Sequence, residues 1–215
     1  MMVTQAAPIE APTPSAPAAA PATPRADAPR LRRWTRAEYY RMAEAGILGE
    51  DDRVELLEGE IVEMSPIGSP HAAGVELASA ALSFAPQYGY YVRHQQPLSL
   101  GVTSDPQPDL AVVKGGPRDY VSGHPTSAML VVEVADPSLP EDRRRKAGLY
   151  AACDIPDYWV TDVNGRQLEV YREPVKDPTA PGGGRYQRLE TFKPGDSITP
   201  LFAPDHSIAV DDLLP

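Results

Sequence analysis

From about Arg32 onward, apolar positions recur either every second residue or every third to fourth, and the stretches they mark predict alternating short strands and helices. Thr35-Arg-Ala-Glu38 places a hydroxyl and a carboxylate three residues apart. At that spacing each can satisfy a free backbone N–H of the first helical turn, which predicts a helix to about Ala45, stopped by Gly46. RVELLEGEIVEM reads as two short strands turning at Glu58-Gly59. Ser69-Pro70 reads as an N-cap with proline at the first helical position, opening a helix to about Ala85. Strands are expected at roughly 89–100, 109–114 and 127–135, a helix from about Pro140 to Ala152, and strands at 157–162 and 167–173. Beyond the glycine break at 182–184 the pattern predicts only short strands and turns. Interleaved helices and strands predict an α/β (α+β) sheet protein.

Residues 1–30 break this pattern. Seventeen of the 30 are Ala or Pro, with no amphipathic period, and a disordered, extended tail is expected ahead of one domain over 31–215. The tail lacks a basic start followed by an apolar run, so it does not read as a signal peptide. A proline-rich tail of this kind could also dock a partner in extended form. No run approaches the roughly 18 apolar residues of a membrane span, so no membrane partner is expected.

The 215 residues carry 20 Lys plus Arg against 30 Asp plus Glu, a formal charge of −10. The tail's four charges cancel, so the later residues carry all of it. That balance argues against general electrostatic adhesion to nucleic acid or anionic membrane, and confines any DNA contact to a local patch. The single cysteine, Cys153, rules out an intrachain disulfide and a cysteine-cluster zinc site, and fits a reducing, cytoplasmic setting.

Three carboxylates interrupt apolar strands. Glu133 lies in Met129-Leu-Val-Val-Glu-Val-Ala135, a run apolar on both faces, as in a central strand covered on both sides. Asp109 opens Asp109-Leu-Ala-Val-Val113 directly after Pro108, and Glu55 shares a strand face with Leu57. Each has an ordinary reading: Glu133 ending a strand at a sheet edge, Asp109 as a turn residue, Glu55 solvated. Two carboxylates at the ends of neighbouring central strands could instead converge on a hard divalent cation, with the Val134 carbonyl as a further oxygen. An all-oxygen set suits Mg2+ or Mn2+ rather than zinc. In Arg143-Arg-Arg-Lys146, helical geometry turns Lys146 toward the apolar stripe with Asp142, Leu149, Tyr150 and Cys153. It reads either as a snorkelling lysine paired with Asp142 or as an ammonium held beside the carboxylates. His71, in the first turn of its helix, reads as a surface histidine, with a role near substrate phosphate as the alternative. Cys153 reads as core.

Val54-Glu-Leu-Leu-Glu-Gly-Glu-Ile-Val-Glu-Met-Ser-Pro66, Ser69-Pro-His71, Gln107-Pro-Asp109, Val132-Glu-Val134, Asp142-Arg-x-x-Lys146, Ile155-Pro-Asp-Tyr-Trp159 and the closing Ser197-Ile-Thr-Pro-Leu-Phe202 together resemble the Uma2 family of restriction-endonuclease-like proteins, within the PD-(D/E)XK nuclease superfamily. The resemblance covers about 31–215. It implies a mixed central sheet flanked by helices, Asp109 and Glu133 as metal ligands, and a Mg2+- or Mn2+-dependent endonuclease acting on DNA. Glu133-Val-Ala135 departs from the superfamily triplet, with alanine where lysine is expected, and the family's lysine corresponds to Lys146. Glu55 corresponds to the additional acidic residue early in the fold, completing the metal or water shell, and His71 to a frequent family position. The missing triplet lysine keeps open a second expectation, a nuclease fold that binds nucleic acid or protein without cutting. A homodimer is compatible with either.

Overall fold

The computed structural model describes residues 31–49, 51–136 and 138–215. The expected tail over 1–30 lies outside the described residues.

Helix α1 (Arg36–Glu44) begins as its sequence dictates. Thr35 Oγ1 accepts from the Glu38 N–H at 3.3 Å, and Glu38 Oε2 accepts from the Thr35 N–H at 3.0 Å. Strands β1 (Val54–Leu57) and β2 (Glu60–Glu63) form the expected hairpin. Glu58 and Gly59 both adopt positive φ (49° and 80°), the turn whose twist matches that of the flanking strands.

Helix α2 (Ser69–Ala81) departs from expectation at both ends. Gly68 is its N-cap, so Ser69 and Pro70 lie inside the first turn and no side chain caps it. It stops before Ala85 because Pro86, which has no N–H to donate, starts a separate 3₁₀ turn over Ala85–Tyr88.

The main sheet runs in the order β3 (Tyr90–His94), β4 (Leu110–Lys114), β5 (Leu130–Ala135), β6 (Asp157–Asp162), β7 (Gln167–Lys176) and β8 (Gly184–Phe192). Only β5 and β6 pair in parallel; the other neighbours are antiparallel. The parallel crossover contains α3 (Leu139–Glu141), a π-helical turn over Asp142–Lys146, and α4 (Ala147–Ala152). This is a mixed α+β fold, as the alternating pattern predicts. β3 ends earlier than expected, where Gln95 turns to positive φ (46°) two residues before Pro97. β8 replaces the short strands and turns expected after the glycine break. Its signal is weak because it is an edge strand with polar residues on both faces. A further antiparallel pair joins β9 (Ser197–Ile198) and β10 (Ile208–Ala209).

Two cores flank the sheet. One packs α2 and the C-terminal residues Val210 and Leu213 over Leu110, Val112, Leu130, Val132 and Val134. The other packs Leu57 with Ala147, Leu149 and Tyr150 over Ala111, Val113, Val131 and Ala135. At Gly74, α2 approaches β5 so closely that a Cβ would lie 2.7 Å from Val134 Cγ1. Glycine is therefore what lets the helix sit down on the strand. Among the described residues, no helix is long and apolar enough to cross a membrane.

Candidate active site

Strand alternation puts Asp109 and Glu133 on the face that carries Ala111, Val113 and Val131. The register sets Leu110 opposite Val132, and carried one residue further it sets Asp109 opposite Glu133. The Asp109 N–H faces Glu133 Oε2 at 3.4 Å, and Asp109 Oδ2 accepts from the Val134 N–H at 2.8 Å. Glu133 is thus 3% exposed inside a covered strand rather than at a sheet edge, and Asp109, also buried, is no solvated turn residue. Glu55 is buried rather than solvated, with Oε2 accepting from the Gln107 N–H at 3.0 Å.

Lys146, at the end of the π turn, points inward, as its helical spacing predicts. Its Nζ lies 3.1 Å from Glu133 Oε1, 3.3 Å from Glu55 Oε1 and 3.8 Å from Asp142 Oδ1. Asp142, the pairing that helix spacing suggests, is therefore the most distant of its three partners. Tyr150 also donates to Glu133 Oε1, at 2.8 Å. His71 is half-buried rather than a surface residue, and its Nε2 lies 3.0 Å from Asp109 Oδ1. Gly74 makes this contact possible, because seating α2 on β5 brings its first turn over Asp109. Gln95 donates to the same Asp109 oxygen at 3.2 Å.

Glu55, His71, Asp109, Glu133 and Lys146 all line one cavity of about 380 Å3. Asp142 joins them on its wall. Met64, Pro66 and Ile67 supply an apolar side, and Arg53, Glu63 and Glu141 add further charges to its lining.

Three buried carboxylates here share one lysine, while Asp109 pairs with His71, and the charges respond accordingly. Burial raises the Glu133 carboxyl well above the usual carboxylate range, against the opposing pull of Lys146. Burial likewise raises Asp142. For Asp109 burial acts upward too, but the His71 hydrogen bond and charge outweigh it and hold the group low. Burial would depress Lys146, yet Glu133, Glu55 and Asp142 together raise it well above a free lysine, so it stays charged. His71 is raised first by its bond to Asp109.

Asp109, Glu133 and the Val134 carbonyl offer hard oxygen donors suited to Mg2+ or Mn2+. The ring of His71, a cation when protonated, lies 3.0 Å from Asp109 Oδ1, so this oxygen already faces an electropositive group. No three Asp, Glu, His or Cys side chains among the described residues are arranged to hold a metal ion by themselves. Two carboxylates plus water and substrate oxygens are a normal complement for Mg2+.

Sequence reasoning passed over Gln95, Gln107 and Tyr150 as site residues and took Asp142 only as a partner of Lys146. Gln107 stands beside Pro108-Asp109, and Tyr150 is on the same helical stripe as Lys146, so both carried a signal. Gln95 reaches the site only because the backbone turns out of β3 at positive φ, which its sequence does not announce.

Residues 36–211 match the Uma2 family, described as "Putative restriction endonuclease". Among solved structures, the chain is similar to a putative nuclease of the DUF820 group from Anabaena variabilis. The TM-score is 0.57 at 18% identity, over 79% of this chain and 94% of that one. That likeness establishes a shared fold. Among proteins with curated descriptions, none matches the chain. The family match spans most of the described residues and every residue of the cavity named above, and the chain belongs to the Uma2 family.

Proposed function

We propose that this chain is a Mg2+- or Mn2+-dependent endonuclease that hydrolyses phosphodiester bonds of DNA. The observation that carries the reading is the meeting of Glu55, Asp109, Glu133 and Lys146 on one cavity, in a chain of a restriction-endonuclease family. Asp109, Glu133 and the Val134 carbonyl would hold the ion. When bound, it supplies Lewis acidity and lowers the pKa of a coordinated water. Lys146 directs its ammonium at the charge that develops on the phosphate, and Glu55 fixes that ammonium and orients the attacking water. Tyr150 and Lys146 together pin the Glu133 carboxylate. Met64, Pro66 and Ile67 give the cavity an apolar side. Arg53, lining the same cavity, can meet a neighbouring phosphate, which is the local contact that an acidic chain requires.

The test is nicking of plasmid and of single-stranded DNA in Mg2+ or Mn2+. Asp109→Ala and Lys146→Ala should each lose about 10²-fold or more of the wild-type rate. Equal rates in all three proteins would refute the assignment.

A second reading, a nuclease fold that binds without cutting, draws on Ala135 standing at the triplet's lysine position and on Lys146 being held as a shared counter-ion. Calorimetry separates the two, since absence of Mn2+ binding at millimolar metal favours the binding module.

A further inference from the structure

Asp142 is at once the most deeply buried acid of the cavity and the least supported. It is 1% exposed, and among the described residues it is the one side chain with two buried polar atoms that both lack a hydrogen-bond partner. The Ser138 hydroxyl is near enough to favour its charged form but not placed to donate to it. Lys146 gives it little: at 3.8 Å the ammonium is beyond hydrogen-bonding distance and already lies closer to Glu133 and Glu55. Buried polar groups are nearly always satisfied, so an acid left bare on a cavity wall calls for a partner that enters from outside. A carboxylate with all its lone pairs free, facing a cavity already rich in acids, suits a hard cation.

We infer that Asp142 is a ligand of the divalent cation of this cavity, approaching from the helical side while Asp109 and Glu133 approach from the sheet. The inference rests on the metal-dependent reading above. Without a cation the like charges keep apart, which accounts for the absence of a preformed three-acid cluster among the described residues. Asp142 has no hydrogen bond to break and can swing toward an ion at the least cost of the four acids. The ordinary alternative, that Asp142 only anchors Lys146, makes the opposite predictions for both stability and metal binding.

Calorimetric titration of the full chain with Mn2+, paired with thermal unfolding in chelator, separates them. Asp142→Asn should weaken Mn2+ binding on the order of tenfold or more, since even partners behind a metal ligand are worth that much. Its metal-free midpoint should stay the same or rise, because a bare buried charge has been removed. Asp142→Glu should recover part of the affinity. Unchanged Mn2+ affinity in Asp142→Asn overturns the inference and leaves the metal-dependent reading intact. A loss that Asp142→Glu does not recover, with a lowered metal-free midpoint, marks a folding defect and also overturns it. A wild type that binds no Mn2+ overturns the metal-dependent reading and this inference together.

Discussion

Asp157 and Asp142 are both buried acids, yet the chain treats them in opposite ways. Asp157 is fully buried at the start of β6, and each of its oxygens is occupied. Oδ1 accepts from Trp159 Nε1 at 2.8 Å and from Arg172 Nε at 2.9 Å; Oδ2 accepts from Arg172 at 3.2 Å and from the Leu201 N–H at 3.0 Å. One arginine answers one acid, and the Leu201 N–H ties the segment leading to the C-terminal residues onto the sheet. At the cavity three acids divide one lysine, and Asp142 receives no hydrogen bond. A satisfied buried charge holds structure together. An unsatisfied one costs stability, and its persistence points to chemistry.

The largest break in this contrast is at Arg172. Arg172→Ala strands Asp157 in the core and should lower stability by about 3–5 kcal/mol, measured by denaturant unfolding. Mn2+ affinity per folded molecule should not change.

Gly74→Ala acts at the other region. The added methyl must displace Val134 or lift α2, at about 1–3 kcal/mol. The His71–Asp109 contact should loosen with it, read as a shifted imidazole signal in NMR titration. An unmoved His71 resonance would show that helix seating does not set this contact.

The smallest effect is a matter of pH. Glu133 is raised in the fold, so its contribution is complete below the ordinary glutamate value near 4.5 and is lost as pH rises through its higher folded value. The metal-free cavity therefore weakens toward alkaline pH, and protons compete with a cation below that folded value. Mn2+ should raise the unfolding midpoint more at pH 8 than at pH 6. Glu133→Gln, which cannot ionise, should lose both the Mn2+ shift and this share of the metal-free pH slope, while metal-free stability near neutral pH changes by only about 1 kcal/mol.

How much of this was legible in the sequence follows the range of the interaction responsible. The Thr35–Glu38 cap and the Glu58-Gly59 turn were legible because each is decided within four residues. Asp109, Glu133 and Glu55 stood out because charge in an apolar strand is expensive wherever the partner lies, so the anomaly is visible even when its remedy is not. The Asp157–Arg172 pair was invisible. It depends on the β6–β7 register, which sets those two residues opposite each other. The N-cap of α2 slipped by one residue because Ser-Pro fits either of two adjacent frames when Gly68 can take the cap conformation. Lys146 was placed correctly by an ideal helical wheel. That wheel treats Asp142 as an ordinary i,i+4 partner, and it cannot show that Glu133 and Glu55, brought in from distant strands, draw the ammonium closer and leave Asp142 without a hydrogen bond.

The π turn over Asp142–Lys146 also has a meaning for how such a chain can change. A π turn amounts to one surplus residue in an α-helix. Deleting one of Arg143–Arg145 would restore ordinary pitch with about the same total rotation, because the π turn spreads its extra residue over one wider turn. Leu149 and Tyr150 would keep their places in the core while the spacing of Asp142 to Lys146 shortened from four residues to three, on the same helix face. A single codon can therefore retune this site and leave the sheet that houses it unaltered.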